Sequence, residues 1–494
     1  MWINSANLEI ELRIKNINQM LAYYFIIAVF ISGVLFFSRD KKTHHIFIIL
    51  FNVLQWGITV YECYHFRYEE LGYFTADAAA LLMLIVLSIL TTTSSYHSID
   101  YLKHHGSSSR VEAIYFSAFS ILVMAQTGVF MSSHIALTWA FVELTTFAAT
   151  ILIFHERTEN ATEAAWKYLF VCSIAITFAF IGILFLSISA QEAGTIDLSY
   201  KSLIHHAGLF NPFWLKLAFL FILVGFSAKM GLFPMHTVCV DAHTVAPPPI
   251  SAFISTTLMN VGFIAIFRTY SVIASTSIAP WANHVLLIAG ALSVFVATIY
   301  LLRVNHFKRM SAYSSLENMG IVAIGLGVGG IGYYAAFLHI IFHSFTKASV
   351  FYQIQQVYRT YKSYMIRDTG GYFKYYTPGA IVILLVFICI TAMPPSGMFI
   401  SEFMIFRAMF TKHYIWLLIP VLILLTMAMW ALGKNFFRLI FLPPVNFDDS
   451  HIEKINPLES LSQFILLGLV IYLGINPPAI FVSLINEAII NLPH

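Results

Sequence analysis

Long apolar segments recur along the chain from about residue 20 to about residue 475, with short polar stretches between them. The segments are continuous and lack the alternation over about ten residues that marks the strands of a membrane barrel. Only helices and closed barrels satisfy every backbone group in hydrocarbon, so the pattern predicts membrane-spanning helices. At about 20 residues per span, we expect about fourteen of them. Their approximate centres are Phe30, Leu54, Leu84, Leu122, Leu144, Ile176, Val224, Met259, Ala291, Ala323, Ile341, Phe387, Leu424 and Leu467.

Composition indicates the same class of protein. Of the 494 residues, 59% are hydrophobic and 10% are charged, whereas about 25% are charged in soluble domains. The 27 Lys+Arg and 24 Asp+Glu are too few to cover a water-exposed surface of this size. We therefore predict an all-α integral membrane protein whose surroundings are the lipid bilayer.

Charge and cysteine content exclude several functions. The formal net charge of +3 and the lack of a basic block argue against nucleic-acid binding, so we expect no nucleic-acid partner. The four cysteines lie far apart, without CxxC or cysteine–histidine metal spacing. No segment offers a nucleotide cradle, a flavin site or cluster ligands. We expect no cofactor and no metal in this chain, and whether it is itself an enzyme stays open.

The distribution of lysine and arginine predicts the orientation. We call the side on which the first helix begins face A and the opposite side face B. Lysine and arginine are more than twice as frequent in the loops of face B, which include Lys308, as in those of face A, which include Arg13, Lys15 and Arg268. Four lysines remain that fall within or close to the apolar segments: Lys167, Lys216, Lys229 and Lys347. The positive-inside rule then makes face B cytoplasmic. We expect a multi-pass protein of the cell inner membrane with both termini outward, on the periplasmic side.

Charges inside the apolar segments are few, and each requires an explanation. Glu143 lies alone in the apolar run 135–154, and Lys229 lies alone in the run 217–233. A charge at mid-bilayer costs about 2.5–3.5 kcal/mol on insertion scales and is compensated by a partner or by water. Glu143 and Lys229 are opposite in sign and could form such a pair. A static pair that only fixes helix packing is the alternative.

A third group of ionisable residues lies on one helix face. His339, His343 and Lys347 follow each other at i, i+4 and i+8. Buried histidine and lysine can gain and lose protons near neutral pH, so the series indicates a proton relay. Two alternatives stay open: histidines that bind a metal, and histidines that only hydrogen-bond neighbouring helices. No carboxylate or cysteine shares the stripe to complete a metal site.

Two apolar segments contain proline beside a charge. Pro234 follows Lys229, and Pro394 and Pro395 precede Glu402. Proline removes a backbone donor, so both helices are predicted to break. Broken helices at corresponding places in two halves of a membrane protein indicate an ion or substrate path, although prolines also kink helices for packing alone.

These motifs resemble the antiporter-like subunits of respiratory complex I and related hydrogenases over roughly residues 110–440. The motifs are KMGLFPMHTVCVDAHTVA from Lys229, the PPPISAF run that follows it, RMSAYSS from Arg309, the His339/His343/Lys347 stripe and PPSGMFISEF at Glu402. The segments EAAWKYL from Glu163 and SSLENMG around Glu317 look more similar to the membrane component F of hydrogenase-4 and formate hydrogenlyase than to the complex I subunits.

The resemblance implies two inverted five-helix repeats in which helices seven and twelve are broken. It implies that Glu143 pairs with Lys229 in the first half, that Lys347 is the central basic group, and that Glu402 ends the second half. His339 and His343 would lie on the hydrated axis between them. The auxiliary groups would be Lys167, His236, Asp241, His243 and Glu317.

The chain departs from the family pattern in three places. Val238, Cys239 and Val240 stand where Trp-Leu-Pro commonly precedes Asp-Ala-His. Asn318 stands where related chains often have histidine, and Asn260 occupies the place of a lysine in the complex I relatives. These differences predict a relay with fewer ionisable groups, or one that depends more on water.

We predict N-terminal transmembrane helices in 1–109, an antiporter-like proton-translocating core in 110–440, and a C-terminal loop with the last transmembrane helix in 441–494. The core would move protons for a redox-driven complex of the hydrogenase-4 or complex I type, whose other membrane and peripheral subunits supply the driving force. Neutralising Lys229 or Glu402 should abolish pumping. The alternatives are a sodium/proton antiporter subunit, an inorganic-carbon uptake subunit with a zinc-bearing partner, and a structural anchor.

Overall fold

The structure is a computed structural model that describes residues 19–444 and 453–493. In these residues the regular structure is helical apart from one hairpin of β1 (Glu69–Glu70) and β2 (Phe74–Thr75). The helices are α1 Met20–Phe37, α2 Lys41–Tyr64, α3 Ala78–His104, α4 Ser109–Met131, α5 Ile135–Ile153, α6 Glu159–Glu192, α7 Tyr200–His206, α8 Pro212–Met230, α9 Thr237–Val245, α10 Pro248–Phe253, α11 Met259–Ala274, α12 Ala279–Leu301, α13 Phe307–Val328, α14 Ile331–Tyr361, α15 Tyr372–Tyr375, α16 Thr377–Ile390, α17 Gly397–Thr411, α18 Ile415–Phe441, α19 Leu461–Ile475 and α20 Ala479–Ala488.

The helices confirm the all-α membrane architecture. Eleven helical segments of the described residues are long and apolar enough to cross a membrane. Each predicted span centre lies in a helix of its own, and those that fall outside the eleven segments lie in α13, α14 and α16. The helices α13 and α14 fall outside the eleven segments because they contain the polar side chains of the interior, and α16 falls outside because it is only 14 residues long. The number of fourteen spans and the two inverted repeats stay predictions.

Both proline-containing segments are broken as predicted. The helix α8 ends at Met230, where Gly231 adopts a left-handed φ of 76°, and α9 begins at Thr237. The helix α16 ends at Ile390, and α17 begins at Gly397 with the hydroxyl of Ser396 accepting from the backbone of Phe399 at 3.2 Å. The breaks place Lys229 and Glu402 beside free helix ends, where backbone groups are available to water or to an ion.

The long helix α14 lies at the centre of the fold. It is buried over most of its length and packs against α13, α17, α19 and α10. Its continuity places His339, His343 and Lys347 on one buried face, as the spacing predicts. Helices α10 and α11 are joined by a π-helical turn at Ile254–Leu258, and this whole segment is buried.

Several charges lie in environments that differ from the expected ones. Lys308 and Arg268, counted as loop residues in the orientation argument, are buried at helix ends. Arg268 is held there by Asp77 at 3.0 Å and by the backbone carbonyl of Ser132 at 2.5 Å. Lys167, expected inside the membrane, is exposed and paired with Glu163. The N-terminal basic residues of that argument lie outside the described residues, as does the N-terminus itself.

Arg359, near the end of α14, attaches the segment before α19 to the rest of face B. Its guanidinium is 6% exposed and lies 3.3 Å from Asp100, 2.6 Å from Glu453 and 2.5 Å from Glu459. Asp100 belongs to α3, so one side chain joins three separate parts of the chain. Burial alone would raise the pKa of Glu453, but the hydrogen bond and charge of Arg359 bring it below its ordinary value of 4.5.

Replacing Arg359 by methionine is expected to destabilise the protein by about 3 kcal/mol, since removing one partner of a buried ion pair leaves the other uncompensated. The pKa of Glu453 is lower in the folded state than its ordinary value of 4.5. The contribution of this carboxylate to stability is therefore present above pH 4.5 and is lost as the pH falls through the folded-state pKa. Thermal unfolding in detergent at neutral and acid pH measures both effects. Arg367→Met is the matched control, because Arg367 is exposed and its ion-pair partner among the described residues is its neighbour Asp368. Equal melting temperatures for the two variants at neutral pH would contradict the role given to Arg359.

Candidate functional site

The first half of the interior site is built around Lys229 at the end of α8. Lys229 is 1% exposed, and its Nζ donates a hydrogen bond of 3.1 Å to the hydroxyl of Tyr168 in α6. The carboxylate of Glu143 in α5 is half-buried and accepts from Ser173 at 2.8 Å and from Thr146 at 3.3 Å. Glu143 and Lys229 make no direct ion pair in the described part of the chain, because the Tyr168 hydroxyl is the hydrogen-bond partner of Nζ. The predicted direct contact is therefore not formed in this structure.

A glycine allows α11 to pack against the backbone of Lys229. A Cβ at Gly262 would lie 2.8 Å from the carbonyl carbon of Lys229 and 2.8 Å from the Cα of Met230. No side chain fits at that distance, so glycine is required for this close approach of the two helices. The position of Lys229 in the interior is thus set by backbone contact as well as by Tyr168.

Polar groups lie between the two halves. Asn260 of α11 donates to the hydroxyl of Ser344 at 3.1 Å, and Ser344 is next to His343 in α14. His243 of α9 is fully buried, and neither of its ring nitrogens has a hydrogen-bond partner. His243 lies within electrostatic reach of both His343 and Lys347. These contacts connect the broken helix of the first half to the central helix.

Lys347 is the central buried cation of the second half. It has no exposed surface, and its Nζ donates to the carbonyl of Ser311 at 2.9 Å and to the hydroxyl of Ser314 at 2.6 Å. Glu317 follows Ser314 on α13, and its charge acts on Lys347. Both hydrogen-bond partners of Nζ are neutral, so Glu317 is the nearby group of opposite charge.

The two histidines of α14 differ in their contacts. His339 bridges two helices: its Nδ1 lies 2.9 Å from the hydroxyl of Ser401 and its Nε2 lies 3.0 Å from the amide oxygen of Asn318. His343 has no hydrogen-bond partner on either ring nitrogen although it is buried. An unpartnered buried nitrogen is unfavourable by about 1–3 kcal/mol unless water occupies the site. The pair thus consists of one imidazole held between two helices and one that has no hydrogen-bond partner among the described residues.

Glu317 and Glu402 face a common cleft of about 150 Å³. Thr391 and Thr426 also line it, and one carboxylate oxygen of Glu317 has no hydrogen-bond partner. Glu402 is half-buried at this cleft, on the turn that follows the break between α16 and α17. The structure therefore places Glu402, the predicted end group, in the same cleft as the auxiliary group Glu317. His339 contacts α17, the helix of Glu402, through Ser401.

The remaining predicted auxiliary residues lie apart from this line. Lys167 and Asp241 share a surface cleft of about 400 Å³ with Arg309, whose guanidinium lies 3.5 Å from Asp241. His236 is buried and packs beside Phe233 at the break, with Nδ1 unpartnered. Lys167 is thus brought to the surface of face B rather than to the buried line.

Sequence reasoning missed a buried cation at the face B end of the site. Lys308 is 2% exposed, and its Nζ donates 2.5 Å to the carbonyl of Ala246, the residue after α9. Glu156 acts on its charge, and both line a cleft of about 260 Å³. The motif Lys308-Arg309 at a helix start is typical of a surface basic pair, so no sequence signal separated the buried lysine from the exposed arginine.

A metal site, one of the alternatives for the α14 stripe, finds no ligand set. The described residues contain no group of three histidine, cysteine, aspartate or glutamate side chains that could hold one ion. Both ring nitrogens of His339 already have protein partners. In the described residues the α14 stripe is thus a line of buried ionisable side chains.

The fold and site define a class: multi-pass helical membrane proteins in which a line of buried lysine, histidine and glutamate side chains connects two broken helices. This is the arrangement of an antiporter-like subunit of an ion-translocating complex. The chain belongs to the family described as NADH:quinone oxidoreductase/Mrp antiporter, transmembrane, whose model matches residues 132–428.

Comparison with individual proteins agrees with this family. The chain is 28% identical over 348 residues to the hydrogenase-4 component F homolog of Methylacidiphilum infernorum, covering 69% of this chain and 73% of that one. It is 27% identical over 405 residues to NADH-quinone oxidoreductase subunit N of Halorhodospira halophila, covering 81% and 79%. A chain of the Mrp complex of Dietzia sp. DQ12-45-1b has the same fold, with a TM-score of 0.83, 15% identity and coverage of 96% and 97%. The relatives are components of multi-subunit membrane complexes.

Proposed function

We propose that this chain carries protons across the membrane as the antiporter-like subunit of a redox-driven complex. The observation that supports this most directly is the line of buried ionisable side chains between the two helix breaks: Lys229, His243, His343, Lys347, Glu317 and Glu402. Ionisable groups at membrane depth are expensive, so a series of them is typical of a proton pathway rather than of packing.

Protons are taken up from face B, which the lysine and arginine distribution makes cytoplasmic. The cleft at Glu156 and Lys308 opens there and ends at the carbonyl of Ala246, three residues beyond His243. From Lys229 the proton passes to the α14 stripe and leaves at Glu402 toward face A. The unpartnered nitrogens of His243 and His343 support water-mediated transfer along this route. In this orientation both termini are periplasmic and the membrane is the cell inner membrane.

The driving force comes from partner subunits. The curated relatives are a hydrogenase-4 component and an NADH-quinone oxidoreductase subunit, which supports a redox-driven assembly. Tyr168 and Ser173 on α6 connect Lys229 to the half-buried Glu143. A partner that changes the charge around Glu143 would change the proton affinity of Lys229 through these contacts.

The experiment is purification of the native complex in mild detergent, identification of its subunits, metal analysis, and proton movement in liposomes with a pH-sensitive dye. We expect redox subunits and sodium-independent proton movement during electron transfer. Nickel with a hydrogenase-like large subunit indicates the hydrogenase-4 type, and a flavin subunit without nickel indicates the complex I type. The same preparation tests whether the first half and second half of the line act together.

A sodium/proton antiporter is the second candidate, and the fold shared with the Mrp complex favours it. Transport that requires sodium and proceeds without an electron donor would establish it in place of the redox-driven function. A zinc-bearing partner without redox subunits would instead indicate carbon uptake. Harmless neutralisation of the buried charges would leave a structural anchor.

A further inference from the structure

A second line of buried polar groups lies in the bundle of α1 to α4, outside the matched residues 132–428 and outside the relay described above. On α2 the buried face contains His44, Gln55, Thr59 and Glu62. Glu62 is eighteen positions after His44, a rise of about 27 Å at 1.5 Å per residue. This nearly equals the hydrocarbon thickness of about 30 Å, so the face extends across the membrane.

The face A end of this line is a pair of buried carboxyl groups that have no ion-pair partner among the described residues. Glu62 is fully buried, and neither of its carboxylate oxygens has a hydrogen-bond partner. Glu70 is also fully buried; one oxygen accepts from the backbone of Leu21 at 2.7 Å and the other is unpartnered. The charge of Glu70 acts on Glu62, and His65 acts on Glu70; neither carboxylate makes an ion pair with a described residue. This end of the line is therefore acidic and buried.

The middle of the line is a hydrogen-bonded cluster. The hydroxyl of Tyr24 donates to Gln55 at 2.6 Å and contacts Thr127 at 3.2 Å, and the hydroxyls of Thr59 and Ser88 lie 2.8 Å apart. Gln126, beside Thr127 on α4, is fully buried and has no partner for either amide atom. The cluster thus contains hydroxyl groups that can pass a proton and amide atoms that can hydrogen-bond to water.

The face B end is again ionisable. Glu112 of α4 lies 2.8 Å from Nζ of Lys41 and 3.8 Å from Nδ1 of His44. The hydroxyls of Ser32 and Ser120 are paired at 2.7 Å. Ser120 follows Glu112 by two helical turns on the same face of α4.

An apolar layer separates the two polar segments. Ala28 lies midway between Tyr24 and Ser32 on α1, and Val123 lies between Ser120 and Thr127 on α4; both are fully buried. A layer of this kind keeps water out in the present conformation. It would prevent a continuous leak between the two faces.

We propose that the α1–α4 bundle is a second proton route, in which Glu62 is the proton-binding group toward face A and Glu112 with His44 is the group toward face B. A proton taken up by Glu112 from face B passes through water that enters the apolar layer and along the hydroxyls around Tyr24 to the carboxylate of Glu62, which then releases it toward face A. Polar residues retained only for helix packing hydrogen-bond each other, whereas Glu62 and Gln126 are buried without partners.

The test compares the wild-type complex with Glu62→Gln, Lys347→Met and the double variant, all with native partner subunits, in liposomes driven by the electron donor of the partner subunits. Protons moved per electron transferred are measured with a pH-sensitive dye. We expect Glu62→Gln to lower this ratio while electron transfer continues, and we expect its loss to add to that of Lys347→Met. Glu69→Gln is the matched control, because Glu69 is the exposed neighbour of Glu70.

A ratio for Glu62→Gln equal to that of the wild type and of Glu69→Gln would overturn the proposal, as would a double variant no worse than Lys347→Met alone. Glu112→Gln tests the other end of the route. If Glu62→Gln does not assemble, an unchanged number of protons per electron in Glu112→Gln overturns the proposal. Loss of an infrared carboxyl band in Glu62→Gln would support a protonated Glu62. An unaffected Lys347→Met would count against the core relay and leave the Glu62 comparison intact.

Discussion

Lys229→Met is expected to abolish proton movement along the core line, and so to lower the protons moved per electron, without loss of stability. Methionine has nearly the shape of lysine, so the contact with Gly262 and the packing of α8 on α11 are retained. The Glu143 carboxylate keeps its hydrogen bonds from Ser173 and Thr146, so the change leaves no uncompensated buried anion. The variant removes only the titratable amine beside Tyr168. It thereby removes the proton transfer that links the first half of the site to the α14 stripe.

The measurement is protons moved per electron in liposomes, together with the melting temperature of the purified complex. Lys216→Met is the matched control, because Lys216 is exposed and lies 5.6 Å from the ring centroid of Trp281. We expect the control to transport normally and both variants to melt as the wild type does. Normal transport by Lys229→Met would remove Lys229 from the pathway.

Glu402→Gln is expected to block proton release while uptake into the interior continues. Glutamine preserves the shape of the side chain in the cleft of about 150 Å³ and removes its ability to titrate. Glu317 lines the same cleft and keeps its own carboxyl. It lies on α13, however, and precedes Glu402 in the proposed proton route. Steady proton movement along the core line should therefore stop, whereas a single-turnover measurement should still detect uptake on face B.

Time-resolved dye signals on the two sides of the liposome membrane separate these steps. Glu159→Gln is the matched control, because Glu159 is an exposed residue in the first turn of α6. This variant should transport normally. Steady transport by Glu402→Gln at the wild-type rate would show that protons leave by another group. Loss of uptake as well as release would place Glu402 earlier in the route than proposed.

The sequence was sufficient for the helical membrane architecture and for much of the interior line. Apolar runs of about 20 residues have few structural outcomes in lipid, so the span centres fell within helices. Proline has a local effect on its own helix, so both breaks were predictable from Pro234 and Pro394. The i, i+4, i+8 spacing of His339, His343 and Lys347 likewise depends only on helix geometry.

Residue pairing between helices was not predictable in the same way. Opposite charge suggested a direct contact of Glu143 with Lys229, but the chain places Tyr168 against the lysine. Lys167 was expected inside the membrane and lies on the surface with Glu163, whereas Lys308 was expected in a loop and is buried against Ala246. In each case the sequence states the charge, and the rotation of one helix against another decides what surrounds it.

The sequence by itself therefore determined the class of protein, the positions of its helices, the two breaks and the inventory of ionisable groups, because these follow from hydrophobicity and from geometry within single helices. Only the tertiary structure decided which groups share an environment: Glu317 with Glu402, His339 with Ser401, and Glu62 with Glu70. The physical reason is that a side chain at membrane depth is surrounded by neighbouring helices, and their packing depends on contacts far apart in the chain.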